Sequence, residues 1–348
     1  MTGRKSILAA LAAALLFGAS IPFAKVLAGG LSPILLAGLL YLGSGIGLYA
    51  ARGVRDRNFS LPAMSAREWW CLTGAIAVGG IVGPILLIWG LMRTPAANAS
   101  LLLNLEAVLT AALAWVVFGE NAGRRIILGM ALIVAGGVVL AWPESGLVLR
   151  GSLGAIAIAV ACLCWALDNN LTRAVSASDP VFIAATKGLV AGATNLALAL
   201  GLGAKLPTWP VIAAAVALGL TGYGISLVLF VRALRELGSA RTAAYFSTAP
   251  FLGAAIAVGA FHEPISAGFW LAAALMAAGV WLHLTERHDH EHAHLAMVHE
   301  HAHTHDCHHL HAHDFPWDGT EPHSHLHRHE AMTHRHPHYP DLHHRHGH

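Results

Sequence analysis

Charge is what this sequence has least of. Asp, Glu, Lys and Arg make up 11% of its 348 residues, against roughly 25% in an ordinary soluble domain. Hydrophobic residues make up 56%, a balance that excludes a water-soluble fold for most of the chain and makes lipid its solvent. Cysteine is scarce too: Cys71, Cys162 and Cys164 lie in apolar runs and Cys307 near the C-terminus. Four thiols so placed exclude the disulfide framework of a small extracellular domain and read as reduced. No Ser-His-Asp arrangement and no zinc-hydrolase helix motif occur. The Gly-rich runs "AVGGIVGP" and "ALGLTGYG" have neither a preceding strand nor the following Lys-Ser/Thr of a nucleotide loop. With no soluble segment large enough for ATP hydrolysis, the chain is not expected to be an enzyme, to need a cofactor or to bind nucleic acid.

Histidine is nearly missing before residue 288, where only His262 and His283 occur, and abundant after it, with 23 residues. Charge divides at the same place: 18 Lys and Arg against 10 Asp and Glu give residues 1–287 a net +8, and 3 against 9 give residues 288–348 a net −6. Two polymers are joined there. The second has too little apolar area to offset the entropy of ordering it, so a disordered tail is expected.

The first polymer consists of ten apolar runs, each near the roughly 20 residues a membrane helix needs: 6–28, 33–50, 69–91, 95–118, 123–142, 151–172, 180–202, 210–231, 240–261 and 266–284. The first exceeds the 7 to 15 apolar residues of a signal peptide and is taken as retained. If the N-terminus is cytoplasmic, the inner ends and loops hold thirteen Lys and Arg and the outer ones four, Lys25, Arg93, Arg150 and Lys205. The positive-inside bias therefore expects an inner-membrane protein with both termini in the cytoplasm.

A shift of 143 residues lays 90–120 on 233–263, so that Phe118-Gly119-Glu120 meets Phe261-His262-Glu263, Gly79 meets Gly222 and Gly136 meets Gly279. A shift of 147 to 148 pairs Ser32-Pro33 with Asp179-Pro180, Phe17 with Trp165 and Lys25 with Arg173. The chain is thus a duplicated five-helix unit, 1–143 and 144–287, followed by the tail 288–348. Five is odd, so the second copy enters the membrane inverted. Substrate sites of such transporters lie near the midplane between the repeats.

The pattern "LLLNLEAVLTAALAWVVFGE" followed by "GRRIILGMALIVAGGVVLAW", repeated as "AAYFSTAPFLGAAIAVGAFHE" followed by "AGFWLAAALMAAGVWL", resembles the EamA domains of the drug/metabolite transporter superfamily. The resemblance covers residues 6 to about 285. It implies an all-α integral membrane protein of ten helices that exports a small solute such as an amino acid, metabolite or drug. The sequence departs from the family pattern in three places. Lys187 stands where Arg before an aromatic is frequent, Asp168-Asn169-Asn170 is unusually polar, and the His tail has no counterpart.

Charge inside a bilayer costs about 2.5 to 3.5 kcal/mol even on the lenient scale, which singles out Glu106, Asp168 and Lys187. Glu106 reads as a proton or cation carrier and Lys187 as a site for an anionic substrate group. The structural alternatives are a Glu106–Lys187 ion pair and a Lys187 that snorkels to the cytoplasmic face. Asn104 is close to Glu106 in sequence but about 200° around the helix. Asp168 follows Cys164 by one turn and, with Cys162, offers donors for a soft metal; alternatively the thiols are apolar filler and Asp168 reaches water at its helix end. Glu120 and Glu263 occupy equivalent chain turns, and His262 reads as a solvated rim residue. Tyr245, Ser247 and Thr248 offer hydrogen bonds to a substrate or to a neighbouring helix.

In the tail, His299, His301, His303, His305, Cys307, His308, His309, His311 and His313 form a dense set of donors for zinc, nickel, cobalt or copper. Alternation suits an extended chain wrapping an ion; on a helix, His301 and His305 would converge instead. The expected partners are the bilayer, a small-molecule substrate and such metal ions. Two functions stay open: export of an organic solute with an accessory tail, and efflux of a divalent transition metal collected by the tail.

Overall fold

The structure is a computed structural model describing residues 2–55, 62, 64–118, 124–142, 149–173, 175, 178–285, 289–294, 297–303, 323–329 and 332–337. Thirteen α-helices are described: α1 (Thr2–Ala28), α2 (Pro33–Arg55), α3 (Ala66–Ala75), α4 (Gly83–Leu91), α5 (Ala96–Leu102), α6 (Leu105–Phe118), α7 (Arg124–Ala141), α8 (Leu149–Arg173), α9 (Pro180–Gly201), α10 (Trp209–Leu218), α11 (Ser226–Phe246), α12 (Ala249–Phe261) and α13 (Ala267–Leu284). Two π-helical segments, π1 (Ile76–Val82) and π2 (Gly219–Ile225), join α3 to α4 and α10 to α11. Among the described residues nine stretches are long and apolar enough to cross a membrane, while Ala249–Phe261 is a shorter apolar helix. The expected ninth span, 240–261, is interrupted at Ser247–Thr248, and the fourth at Leu103–Asn104. The two breaks fall 144 residues apart.

Local chemistry accounts for the boundaries. Ser32 Oγ accepts the Leu35 N–H at 3.2 Å and Asp179 Oδ1 accepts the Val181 N–H at 3.0 Å, each just before a proline that opens its helix. Ser65 and Glu68 cap α3 reciprocally. His262, in the left-handed conformation with φ 52°, ends α12 and turns the chain toward α13.

Both π segments are seven residues long and start 143 residues apart, so the duplication extends to an unusual backbone state. Packing follows the same symmetry. The helix α2 lies along α9, and α7 along α13, each pair joining equivalent helices of the two repeats. The helix α1 packs on α11, α12 and π2, and its counterpart α8 packs on α4, α5, α6 and π1. Between helices in lipid, close contact through small residues replaces the hydrophobic effect. A Cβ on Gly188 would stand 2.6 Å from the Gly45 nitrogen, so only glycine allows α2 and α9 to approach so closely there.

Where α1 ends, Glu263 receives the N–H groups of Ala96 and Ala97 at 2.9 Å each and faces Lys25 Nζ at 3.6 Å. This one carboxylate ties the α12–α13 turn to α1 and α5. Glu263→Ala leaves two N–H groups without their acceptor and is expected to destabilise the protein by about 1 to 2 kcal/mol. Thermal unfolding in detergent measures it, and an unchanged midpoint would assign those donors to water.

Residues 287–348 form a unit separate from 1–286. Its described parts are β1 (Asp289–His294), β2 (Met297–His303), β3 (His323–His329) and β4 (Met332–Pro337), paired antiparallel as β1 with β4 and β2 with β3. Two-stranded ribbons alone are marginally stable in water.

Candidate functional site

The helix α8 carries the polar centre. Leu153, Ile156, Val160, Leu163 and Leu167, spaced three and four apart, form its exposed stripe, the face such a helix turns to lipid. Asn169 is also exposed, but at 100° per residue it stands about 200° around from Leu167. It therefore opens onto the inside of the bundle. There its Nδ2 donates to Glu106 Oε1 at 2.8 Å, and Glu106 is itself half-buried.

Glu106 owes its place to the broken fourth span. Around the break the bonds run three residues back, Leu103 N to Ser100 O at 3.2 Å, Asn104 N to Leu101 O at 3.0 Å and Glu106 N to Leu103 O at 3.1 Å. The helix restarts as α6 with Glu106 in its first turn, where the N-terminal dipole favours a carboxylate. Asn104 is not brought to the same place: it is buried, donates to Leu101 O at 3.0 Å and lies 3.9 Å from Met276 Sδ. Tyr245, half-buried, precedes the matching break, where Thr248 donates through its N–H at 3.2 Å and its hydroxyl at 2.7 Å to the Tyr245 carbonyl.

Lys187 pairs with Asp168, not with Glu106, and this sets aside three of the structural alternatives. Its ammonium lies 2.5 and 2.8 Å from the two Asp168 oxygens and 3.2 Å from the Thr172 hydroxyl, which donates to Asp168 Oδ1 at 2.8 Å. The side chains are 11% and 9% exposed, so Lys187 does not snorkel and Asp168 does not reach water. The salt bridge joins α8 to α9. Gly79 of π1 leaves room for it, since a Cβ there would overlap the Asp168 carboxylate.

The π geometry disrupts the regular backbone ladder and makes carbonyls available. Gly79 O takes the Tyr41 hydroxyl at 3.1 Å and the Trp165 indole N–H at 3.0 Å, and Gly80 O takes Asn195 Nδ2 at 3.3 Å. Trp165 in turn belongs to an aromatic cluster drawn from both repeats. Phe17 meets Trp165 at 6.5 Å, Tyr223 at 6.0 Å and Phe246 at 5.6 Å between ring centroids, and Tyr41 meets Tyr223 at 5.6 Å. Four of these rings are half-buried and Trp165 is buried. Phe17 stands about 200° around α1 from the exposed Leu15, so its exposure too is internal. Sequence reading paired Phe17 with Trp165 by repeat position without assigning either to the site. No charge or motif marks an aromatic residue within an apolar run.

Cys162 Sγ points to the Leu102 carbonyl at 3.8 Å, and Cys164 is buried. Among the described residues no group of three or more His, Cys, Asp or Glu is gathered to hold a metal. In the tail, the strand pairing places His299, His301 and His303 opposite His327, His325 and His323. The extended alternative is the one the backbone of 297–303 adopts. His305, Cys307, His308, His309, His311 and His313 lie outside the described residues, as does Glu120.

The model of the EamA-like transporter family matches residues 4–142 and, a second time, 152–285. The chain belongs to the EamA-like transporter family. An uncharacterized transporter of Methanothermobacter thermautotrophicus is 27% identical over 286 residues, covering 78% of this chain and 83% of that protein. A solved crystal structure superposes with a TM-score of 0.61 at 22% identity, over 80% of this chain and 94% of that one; it speaks for the fold alone. The two family matches coincide with the two five-helix units. This EamA-like chain is accordingly a multi-pass membrane protein of a transporter family, with its polar centre between two repeats.

Proposed function

We propose that the protein is a secondary-active exporter of a small organic solute in the plasma membrane, working by alternating access of its two repeats, with Glu106 as the group that exchanges solute and proton. The carrying observation is that Glu106 and Asn169 are accessible yet turned away from the lipid-facing stripe of α8. A carboxyl placed there is a functional residue by default. In this reading Lys187 and Asp168 hold α9 to α8, while Asn104 is a packing residue against α13. Tyr245 marks the second break, whose half-helices supply the movable ends that discontinuous helices give transporters. Both termini are cytoplasmic, on the strength of thirteen inner cations against four outer ones.

Efflux of a divalent transition metal is the second reading, favoured by the 23 imidazoles after residue 287. The membrane unit offers such an ion no gathered ligand set among its described residues. The tail is therefore accessory: a cytoplasmic metal-binding segment.

Truncation after residue 287 separates the two. In proteoliposomes loaded with a panel of amino acids, amines and drugs, the truncated protein is expected to keep its solute flux. Calorimetry at about pH 7.5 is expected to show metal binding by the full chain and none by the truncated one. That binding falls as pH drops through about 6.5, because imidazole must be neutral to ligate. Zinc, nickel, cobalt or copper flux that vanishes with the tail, in a protein carrying no organic solute, would overturn the assignment.

A further inference from the structure

Resting on the exporter reading, we infer that the solute taken at Glu106 is a monovalent organic cation, an amine or ammonium group with apolar substituents, which displaces a proton from that carboxyl.

Lys187, the one cation placed at the polar centre among the described residues, is neutralised at hydrogen-bond distance by Asp168 and further held by Thr172. Both members of the pair act on Glu106 with opposite sign. Glu106 itself is bonded to a neutral amide, Asn169. Among the described residues, a ligand entering this space meets one uncompensated carboxyl. An anionic ligand would have to break the Lys187 pair, leaving Asp168 buried without its counter-charge, a loss of several kcal/mol in general.

Trp165 and Asn169 are one turn apart on α8, which brings the residue that holds Glu106 within about 6 Å of the aromatic cluster. Half-buried rings of Phe17, Tyr41, Tyr223 and Phe246 continue from Trp165. Ring faces attract cations through their quadrupole, most strongly when water is excluded. Rings with a single acid beside them suit a poorly hydrated organic cation.

An inorganic ion is less well provided for than an organic one. Sodium, magnesium or calcium needs several oxygens to replace its water. Gly79 O already takes two side-chain donors, and Leu103 O takes the Glu106 N–H. A trimethylammonium group asks for no such shell.

The test uses three molecules of one shape on the full-length protein in detergent: choline, its neutral analogue 3,3-dimethyl-1-butanol and the anion 3,3-dimethylbutanoate. Equilibrium dialysis is expected to show choline bound at least tenfold tighter than either. Glu106→Gln is expected to remove that preference, and Phe17→Leu, which keeps apolar volume but no ring, to reduce it. Choline binding is also expected to release about one proton per site, read by the buffer dependence of the calorimetric heat. Equal binding of the three, or preference for dimethylbutanoate, overturns the cation assignment and leaves the exporter standing. A choline preference that persists in Glu106→Gln with unchanged affinity overturns the role given to that carboxyl. Binding of none of the three, together with no solute flux in the panel above, overturns both readings.

Discussion

Lys187→Ala is expected to destabilise the protein by about 3 to 5 kcal/mol, the cost found when one partner of a buried ion pair is removed. The reason lies in what remains. Asp168, 9% exposed as a side chain, would keep one polar contact from Thr172 and lose both bonds to the ammonium. Its carboxylate would then face a medium with nothing to solvate it. Thermal unfolding in detergent, with ligand absent, measures the loss. The double variant Lys187→Met with Asp168→Leu removes both charges and keeps apolar volume, and is expected to recover most of the stability, since buried pairs exchanged for apolar residues are often neutral or better. A single variant as stable as the wild type would show that Asp168 takes up a proton at no cost. Transport separates structure from substrate contact: a folded double variant is expected to retain flux, and its loss would return Lys187 to the substrate.

Much of the fold was legible in the sequence because membranes impose a simple rule. A stretch in lipid must satisfy its own backbone, so length and apolarity alone locate the helices. The 143-residue shift then gave the duplication, and it carries over to π1 and π2. The π geometry itself was not legible. It depends on Gly79 and Gly80 finding donors on α2, α8 and α9, which are distant in sequence. The breaks at Leu103–Asn104 and Ser247–Thr248 were missed for a related reason. Neither contains proline or glycine; Pro250, at the start of α12, was a local sign of the second break, and the first break had none.

The polar residues were found, but the pairing of Lys187 with Asp168 was not among the alternatives. Glu106, Asp168 and Lys187 stood out by their cost in lipid; the 200° between Asn104 and Glu106 assumed a continuous helix, whereas the break at Leu103–Asn104 is what parts them. Which carboxylate Lys187 meets depends on how α8 lies along α9, and one sequence does not contain that packing. Glu263 was read as a turn residue like Glu120; its two bonds to Ala96 and Ala97 need the approach of α5 to the α12–α13 turn.

Side-specific labelling of the internal space tests the central claim most directly. Asn169→Cys, in a chain whose Cys71, Cys162, Cys164 and Cys307 are replaced by serine or alanine, places a thiol at the exposed inner face of α8. In oriented proteoliposomes a membrane-impermeant thiol reagent is expected to reach that thiol from one face at a time. Raising a transported solute on the opposite side is expected to slow labelling from the first face and speed it from the other. Labelling by membrane-permeant reagents alone would place Asn169 against lipid and contradict the account, as would equal labelling from both faces whatever the solute.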